Sequence, residues 1–124
     1  MPKTDSRTIL IVEDEKPLAH ALELKLGHEG YAPTVALSGP KGLEEALTGK
    51  YDLILLDLIM PEVDGFAILQ EMATKKVKTP VIVLSNLGQD EDKKKAEGFG
   101  VIAYFVKANT PIADIVKKVK TILK

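Results

Sequence analysis

The sequence predicts an α/β fold in which five strands of a parallel sheet alternate with five helices. Two observations carry this. The runs Thr8–Val12, Leu53–Leu56 and Pro80–Leu84 are continuously apolar, without the polar alternation of a strand wet on one face. Such runs fit strands covered on both sides, as in a parallel sheet. Between them lie segments whose apolar residues recur at helical spacing and whose ends carry helix start and stop residues.

Taken in order, Thr8–Val12 is the first strand and runs directly into Glu13-Asp14-Glu15. Pro17 fits the first turn of a helix carrying Leu18, Ala21, Leu22 and Leu26, which Gly27 or Gly30 ends. Tyr31–Ala36 reads as a short strand, and Pro33 within it suits an edge or a strand start. Ser38-Gly39-Pro40 opens a second helix through Leu43, Ala46 and Leu47, closing at Gly49. Leu53–Leu56 is the third strand, with Asp57 at its C-terminal end and Pro61 and Asp64-Gly65 as loop and helix-start signals. Asp64 looks like the cap of a third helix with Phe66, Ile68, Leu69 and Met72 inward.

The fourth strand, from Pro80, ends in Ser85. Gln89–Gly98 is a weak helix, because Asp90 to Glu97 offer almost nothing to bury. Ile102–Val106 is the fifth strand and ends in Lys107. Thr110 and Pro111 are expected to start a last helix, with Ile112, Ile115, Val116, Val119, Ile122 and Leu123 as its apolar stripe.

At 124 residues the chain fits one domain, residues 1–124, large enough to bury a core without staples. It contains no Cys, which excludes disulfides, thiolate metal sites and a Cys nucleophile. No apolar stretch approaches the roughly 18 residues of a membrane span. The polar start lacks the apolar core of a signal peptide, so a cytoplasmic protein that engages no membrane is expected. A net charge of −1 argues against direct nucleic-acid binding. That total hides an asymmetry: residues 1–65 carry 6 Lys/Arg against 12 Asp/Glu, and residues 93–124 carry 8 Lys against 2 acids. Uneven charge of this kind can guide docking of a partner.

In a parallel sheet all strand C-termini lie along one edge, where open α/β folds bind their ligands. Four of the strands deliver polar groups there: Glu13 and Asp14, Asp57, Ser85, and Lys107. Singly, each has an ordinary explanation as a helix cap, a satisfied hydroxyl or a strand-end lysine. Together they crowd three carboxylates, which repel one another unless a cation is present. Oxygen donors without His or Cys indicate Mg2+ rather than zinc. Lys107 adds a mobile point charge suited to a phosphoryl oxygen.

With these residues in this order, the chain strongly resembles the receiver domain of bacterial two-component response regulators. The matching features are Glu13-Asp14, Asp57, Met60-Pro61-Glu62-Val63-Asp64-Gly65, Ser85, Tyr104 three residues before the lysine, and Lys107. They cover essentially Thr8 to Leu123. The resemblance implies a doubly wound, flavodoxin-like sheet of order 2-1-3-4-5. It implies that Asp57 accepts a phosphoryl group from the phosphohistidine of a histidine kinase or phosphotransfer protein. It further implies that Asp14 and Asp57 hold Mg2+, with the Ile59 backbone carbonyl as a ligand and Glu13 acting mainly through water. Ser85 and Lys107 would meet phosphoryl oxygens, and Tyr104 would turn inward when Ser85 shifts. The expected product is a signalling switch rather than an enzyme in its own right. It would act on a downstream protein or output domain through the face of the fourth helix, fifth strand and fifth helix, with a homodimer as one option.

Two positions depart from the family. Ala108 follows the lysine, where the family usually has Pro in a cis peptide. A cis bond to a non-proline residue costs about 2.5–4 kcal/mol, so this loop is expected to be built differently. Asn86 follows Ser85, where a small residue is usual, and sits where water or a phosphodonor must approach. Other classes fit less well. A phosphatase with an acid/base Asp two residues after its nucleophile needs an acid at position 59, which is Ile59. A flavin binder needs a hydroxyl-rich phosphate loop, and a dinucleotide domain a glycine-rich turn, where this chain has Glu13-Asp14-Glu15. The remaining rival is a degenerate receiver that serves as a constitutive protein-interaction module without phosphorylation.

Overall fold

In the computed structural model, residues 6–87 and 90–123 are described. The order is β1 (Thr8–Val12), α1 (Lys16–His28), β2 (Ala32–Ala36), α2 (Gly39–Ala46), β3 (Leu53–Leu56), α3 (Gly65–Thr74), β4 (Val81–Ser85), α4 (Asp90–Gly98), β5 (Ala103–Val106) and α5 (Ile112–Ile122). A single 3-10 turn, Lys107–Asn109, joins β5 to α5. The five strands form one sheet of order β2-β1-β3-β4-β5, parallel throughout. The expected α/β class and strand order are both present.

The unbroken apolar runs are explained by two cores, one on each face of the sheet. Ile9, Ile11, Leu53, Leu55, Ile82 and Leu84 face α1 and α5, where Leu22, Leu26, Ile115, Val116 and Val119 meet them. Leu10, Val12, Ile54, Leu56, Val81 and Val83 face the opposite way, onto Ala46 of α2, Ile68, Leu69 and Met72 of α3, and Ala96 of α4. Alternate side chains of one strand therefore enter different cores, and a one-residue slip in register would exchange them all. Pro33 lies in β2, at one edge of the sheet, as its missing N–H requires.

Several ends differ from expectation in detail. Helix α1 runs through Gly27, and the chain turns at Gly30, whose φ of +96° suits glycine. Strand β5 begins at Ala103 rather than Ile102, which is exposed. Helix α4 begins at Asp90, and the expected start at Gln89 lies outside the described residues. Thr110 does not cap the last helix. Its hydroxyl donates back to the Val106 carbonyl (2.8 Å), and Pro111 occupies the cap position. Asp64 caps α3 as expected, its carboxylate accepting from the Ala67 N–H at 2.9 Å.

As its sequence implies, α4 is weakly anchored: Ala96 is its one buried residue among those described. A cation–π contact adds to the anchor, with the Lys95 ammonium 4.3 Å from the centre of the Phe66 ring on α3.

Candidate functional site

Strand β1 sits between β2 and β3. From β1 the chain leads through α1 to β2 on one side, and from β3 it leads through α3 to β4 on the other, the arrangement that opens a crevice beyond the ends of β1 and β3. Glu13 and Asp14 leave β1 at this crevice, and Asp57 leaves β3 beside them. Backbone bonds hold both segments: Glu13 N–H donates to the Ala36 carbonyl (3.1 Å) and Asp57 N–H to the Val12 carbonyl (3.0 Å). Glu13 is 1% exposed and Asp57 3%, while Asp14 is half-buried. One carboxylate oxygen from each of the three lies within 4.8 Å of the others.

Lys107 reaches into this cluster from the opposite end of the crevice. Its ammonium lies 3.2 Å from Asp57 Oδ2, 2.7 Å from Glu13 Oε1 and 2.9 Å from Glu15 Oε2. It donates hydrogen bonds to Asp57 and Glu15. Glu13 Oε1 is buried and, among the described residues, has the lysine as its one close polar partner. The other oxygen of Glu13 accepts the Glu15 N–H at 2.9 Å. Ile59 N–H donates to Asp57 Oδ1 at 3.1 Å, which fixes the carboxylate's plane from the loop behind it.

The charge balance is negative: among the described residues, the carboxylates of Glu13, Glu15 and Asp57 share one ammonium, and Asp14 adds a fourth carboxylate beside Glu13 and Asp57. Burial raises the Asp57 pKa, against the opposing pull of the Ile59 N–H and Lys107, and Asp14 adds to the rise. Burial likewise raises that of Glu13, with Lys107 and the Glu15 N–H opposing it. Burial also disfavours the charge on Lys107, but Glu13, Glu15 and Asp57 outweigh it and keep the amine protonated. Buried carboxylates that share a lysine, an all-oxygen donor set and surplus negative charge together fit a hard divalent cation. Glu13, Asp14 and Asp57 are the side chains that could hold it.

Ser85 ends β4 fully buried, its Oγ accepting the Leu87 N–H at 3.2 Å. Tyr104, on the neighbouring strand β5, is half-buried and donates its hydroxyl to the Leu87 carbonyl. Ser85 pairs in register with Val106, immediately before Lys107. The crevice thus brings together Glu13, Asp14, Asp57 and Lys107, with Ser85 on the adjoining strand end and Tyr104 one step out on β5.

The chain matches the response regulator receiver domain family over residues 9–120. It belongs to that family. A response regulator ArlR of Staphylococcus saprophyticus is 37% identical over 116 residues, spanning 94% of this chain and 52% of that protein. The transcriptional regulatory protein DltR of Streptococcus agalactiae is 38% identical over 99 residues, spanning 80% and 44%. The chain therefore spans about half the length of the curated relatives it matches. Among solved structures, the receiver domain of a Francisella response regulator superposes with a TM-score of 0.88 at 30% identity, covering 95% of this chain and 97% of that one. The response regulator TrrA of Thermotoga maritima, in complex with Mg(2+)-BeF, superposes at 0.79 with 28% identity, covering 94% and 98%.

Within this receiver domain, three features escaped the sequence reading. Glu15 was read only as part of an acidic run, yet it shares Lys107 with Asp57. Its signal was available in the alternation: Glu13 and Glu15, two apart in the acidic run, both reach Lys107. Gly65 was read as a helix start, but a Cβ there would lie 2.5 Å from the Asp57 carbonyl oxygen and 2.7 Å from Leu58 Cα. The third is Glu62, held at φ +67° in a turn where Val63 N–H donates to the Pro61 carbonyl (2.8 Å). The turn after Lys107 is built without a cis peptide, as a 3-10 turn.

Proposed function

We propose that this chain, as one receiver unit over residues 1–124, is a phosphorylation-activated switch whose phosphoacceptor is Asp57. The observation that supports it most strongly is the Asp57 carboxylate itself. It is buried, oriented by the Ile59 N–H, and within 3.2 Å of a lysine and reach of two further carboxylates. A merely structural aspartate needs its charge matched. This one sits among surplus negative charge, where a cation and an incoming phosphoryl group are accommodated together.

In the reaction, an Asp57 oxygen attacks the phosphorus of a phosphohistidine on a histidine kinase or phosphotransfer protein. The P–O bond forms as the P–N bond breaks, and the imidazole leaves with a proton. Bound Mg2+, held by Glu13, Asp14, Asp57 and the Ile59 carbonyl, would neutralise charge on the transferring group. The chain's own residues supply the remainder. Lys107 exchanges its carboxylate partners for a phosphoryl oxygen, and Ser85 Oγ offers a hydroxyl to another.

The downstream effect follows from where Ser85 sits. Its Oγ holds the Leu87 N–H at the entry to α4, so drawing that hydroxyl toward a phosphoryl group releases this loop. Tyr104 holds the same loop and moves with it, altering the α4–β5–α5 face presented to a downstream protein or output domain. The lightly buried α4 is well suited to such a shift. A cytoplasmic location accords with a kinase partner of this kind, and among the described residues no helix is long and apolar enough to cross a membrane.

The deciding experiment is incubation with a small-molecule phosphodonor, with and without Mg2+. One Mg2+-dependent phosphoryl group per chain is expected. No uptake under any Mg2+ concentration would favour the constitutive interaction module instead.

A further inference from the structure

The turn that carries Lys107 has little to hold it in place. Ala108 and Asn109 are exposed. Its internal bonds, Thr110 N–H to the Lys107 carbonyl (3.3 Å) and Thr110 hydroxyl to the Val106 carbonyl (2.8 Å), shape the turn without tying it to another element. Among the described residues, one backbone hydrogen bond makes that tie: Ala108 N–H donates to Asn86 Oδ1 at 3.2 Å. The N–H of a residue at the start of a helical turn has no partner within the turn, so an outside acceptor is needed.

The position of Asn86 gives this bond its meaning. The sheet register ends with Ser85 opposite Val106. Asn86 follows Ser85, and Ala108 lies two residues beyond Val106. The carboxamide therefore continues the β4–β5 pairing by one more step, past the point where backbone pairing stops. On either side of that step stand Ser85 and Lys107.

We propose that the Asn86–Ala108 hydrogen bond is a clasp fixing the spacing between Ser85 and Lys107, which makes Asn86 a positioning residue for phosphoryl transfer to Asp57. This rests on the function proposed above. A group on Asp57 must be met simultaneously from two loops, and small errors in their relative position are costly. Lys107 is anchored by carboxylates until it turns to the phosphoryl group. From that moment, among the described residues, the clasp is the hydrogen bond that still ties the turn to the end of β4. Asn86 touches no reacting atom and acts through Lys107.

Amide exchange in the unphosphorylated chain tests the clasp itself. Asn86→Ala should raise exchange at the Ala108 amide about 3- to 10-fold, the scale of one exposed hydrogen bond. Asn86→Asp, which keeps an acceptor oxygen, should retain the protection. Unchanged exchange in Asn86→Ala would overturn the proposal.

A double-mutant cycle tests the positioning role. Phosphorylation rates with a small phosphodonor and Mg2+ are compared for Asn86→Ala in the natural chain and in an Ala108→Pro background, which has no N–H to donate. Any widening of the approach to Asp57 appears in both backgrounds, whereas loss of the clasp appears only in the first. Asn86→Ala should slow the rate about 3- to 10-fold more in the natural chain than in the Ala108→Pro background. Equal effects would show a bond without a positioning role and overturn the proposal. Failure of the natural chain to accept phosphate would instead remove the function it rests on, and the exchange result would still stand by itself.

Discussion

Ser85 and Tyr104 grip the same residue from opposite sides: the Leu87 N–H donates to Ser85 Oγ at 3.2 Å, and the Leu87 carbonyl accepts the Tyr104 hydroxyl. The loop entering α4 is thus pinned by a group at the crevice and by a group on the outward strand β5. Removing the second pin leaves the first and the crevice intact. Tyr104→Phe should cost about 0.5–1.5 kcal/mol of stability, the net worth of one hydrogen bond. It should also raise amide exchange selectively across residues 90–98 while Asp57 still accepts phosphate. A uniform rise over the whole chain would mean that Tyr104 only packs.

The two groups facing the phosphoryl oxygens carry the signal in this account. Ser85→Ala and Lys107→Ala should therefore still take up some phosphate but show a reduced change in amide exchange across residues 90–108 on phosphorylation. Lys107→Ala leaves Glu13 and Asp57 without their cation, and should also lower stability by about 1–3 kcal/mol. If both variants respond as fully as the natural chain, the signal takes another route.

Surplus negative charge in the crevice makes a divalent cation stabilising. Mg2+ should raise the unfolding temperature of the natural chain, and Asp14→Ala should bind the ion substantially more weakly, read by titration calorimetry. Equal affinity in both would remove Asp14 from the metal site.

The raised pKa of Asp57 has a definite sign. The folded chain holds this proton more tightly than the unfolded chain does. The stability contributed by this group is therefore present below the ordinary value of 3.8 and is lost as pH rises through the raised one, so the penalty grows from acid toward neutral pH. Burial is the largest cause and exceeds the help from Lys107, which keeps Glu13 and Glu15 as partners in any case. Asp57→Asn should consequently raise the Mg2+-free unfolding temperature at pH 7 by a few degrees. The gain should shrink as pH falls toward the ordinary carboxylate range. A loss of stability in Asp57→Asn at pH 7 would show that the lysine pairing dominates.

Gly65 lets α3 approach the backbone that carries Asp57. Its N–H donates to the Leu58 carbonyl at 3.1 Å, and there is no room for a methyl group between them. Gly65→Ala should cost about 1–3 kcal/mol by overpacking. It should slow phosphorylation beyond what the lost stability explains, because the atoms it displaces belong to Asp57 and Leu58. Wild-type stability and rate together would show that the loop yields freely.

The sheet was legible because burial on both faces leaves an unmistakable trace: Leu53–Leu56 could hardly be anything but an inner strand. The crevice was legible because its polar residues terminate those same strands. What the sequence hid depends on side-chain reach and backbone approach, neither of which has a period. Glu15 reads as one more acid until the Lys107 side chain is seen to extend to it. Gly65 reads as a turn residue until the Asp57 backbone is found against it. Thr110 beside Pro111 has the look of a helix cap, but its hydroxyl closes the preceding turn instead.

The most direct test of the central claim is mass-spectrometric mapping of the phosphoryl group after treatment with a small phosphodonor and Mg2+. The account predicts one phosphoryl group, located on Asp57, absent from Asp57→Asn and present in Asp52→Asn, which alters a carboxylate at the opposite, N-terminal edge of the sheet, bonded to Thr8. Undiminished labelling of Asp57→Asn, or a label mapped to any other residue, would contradict it.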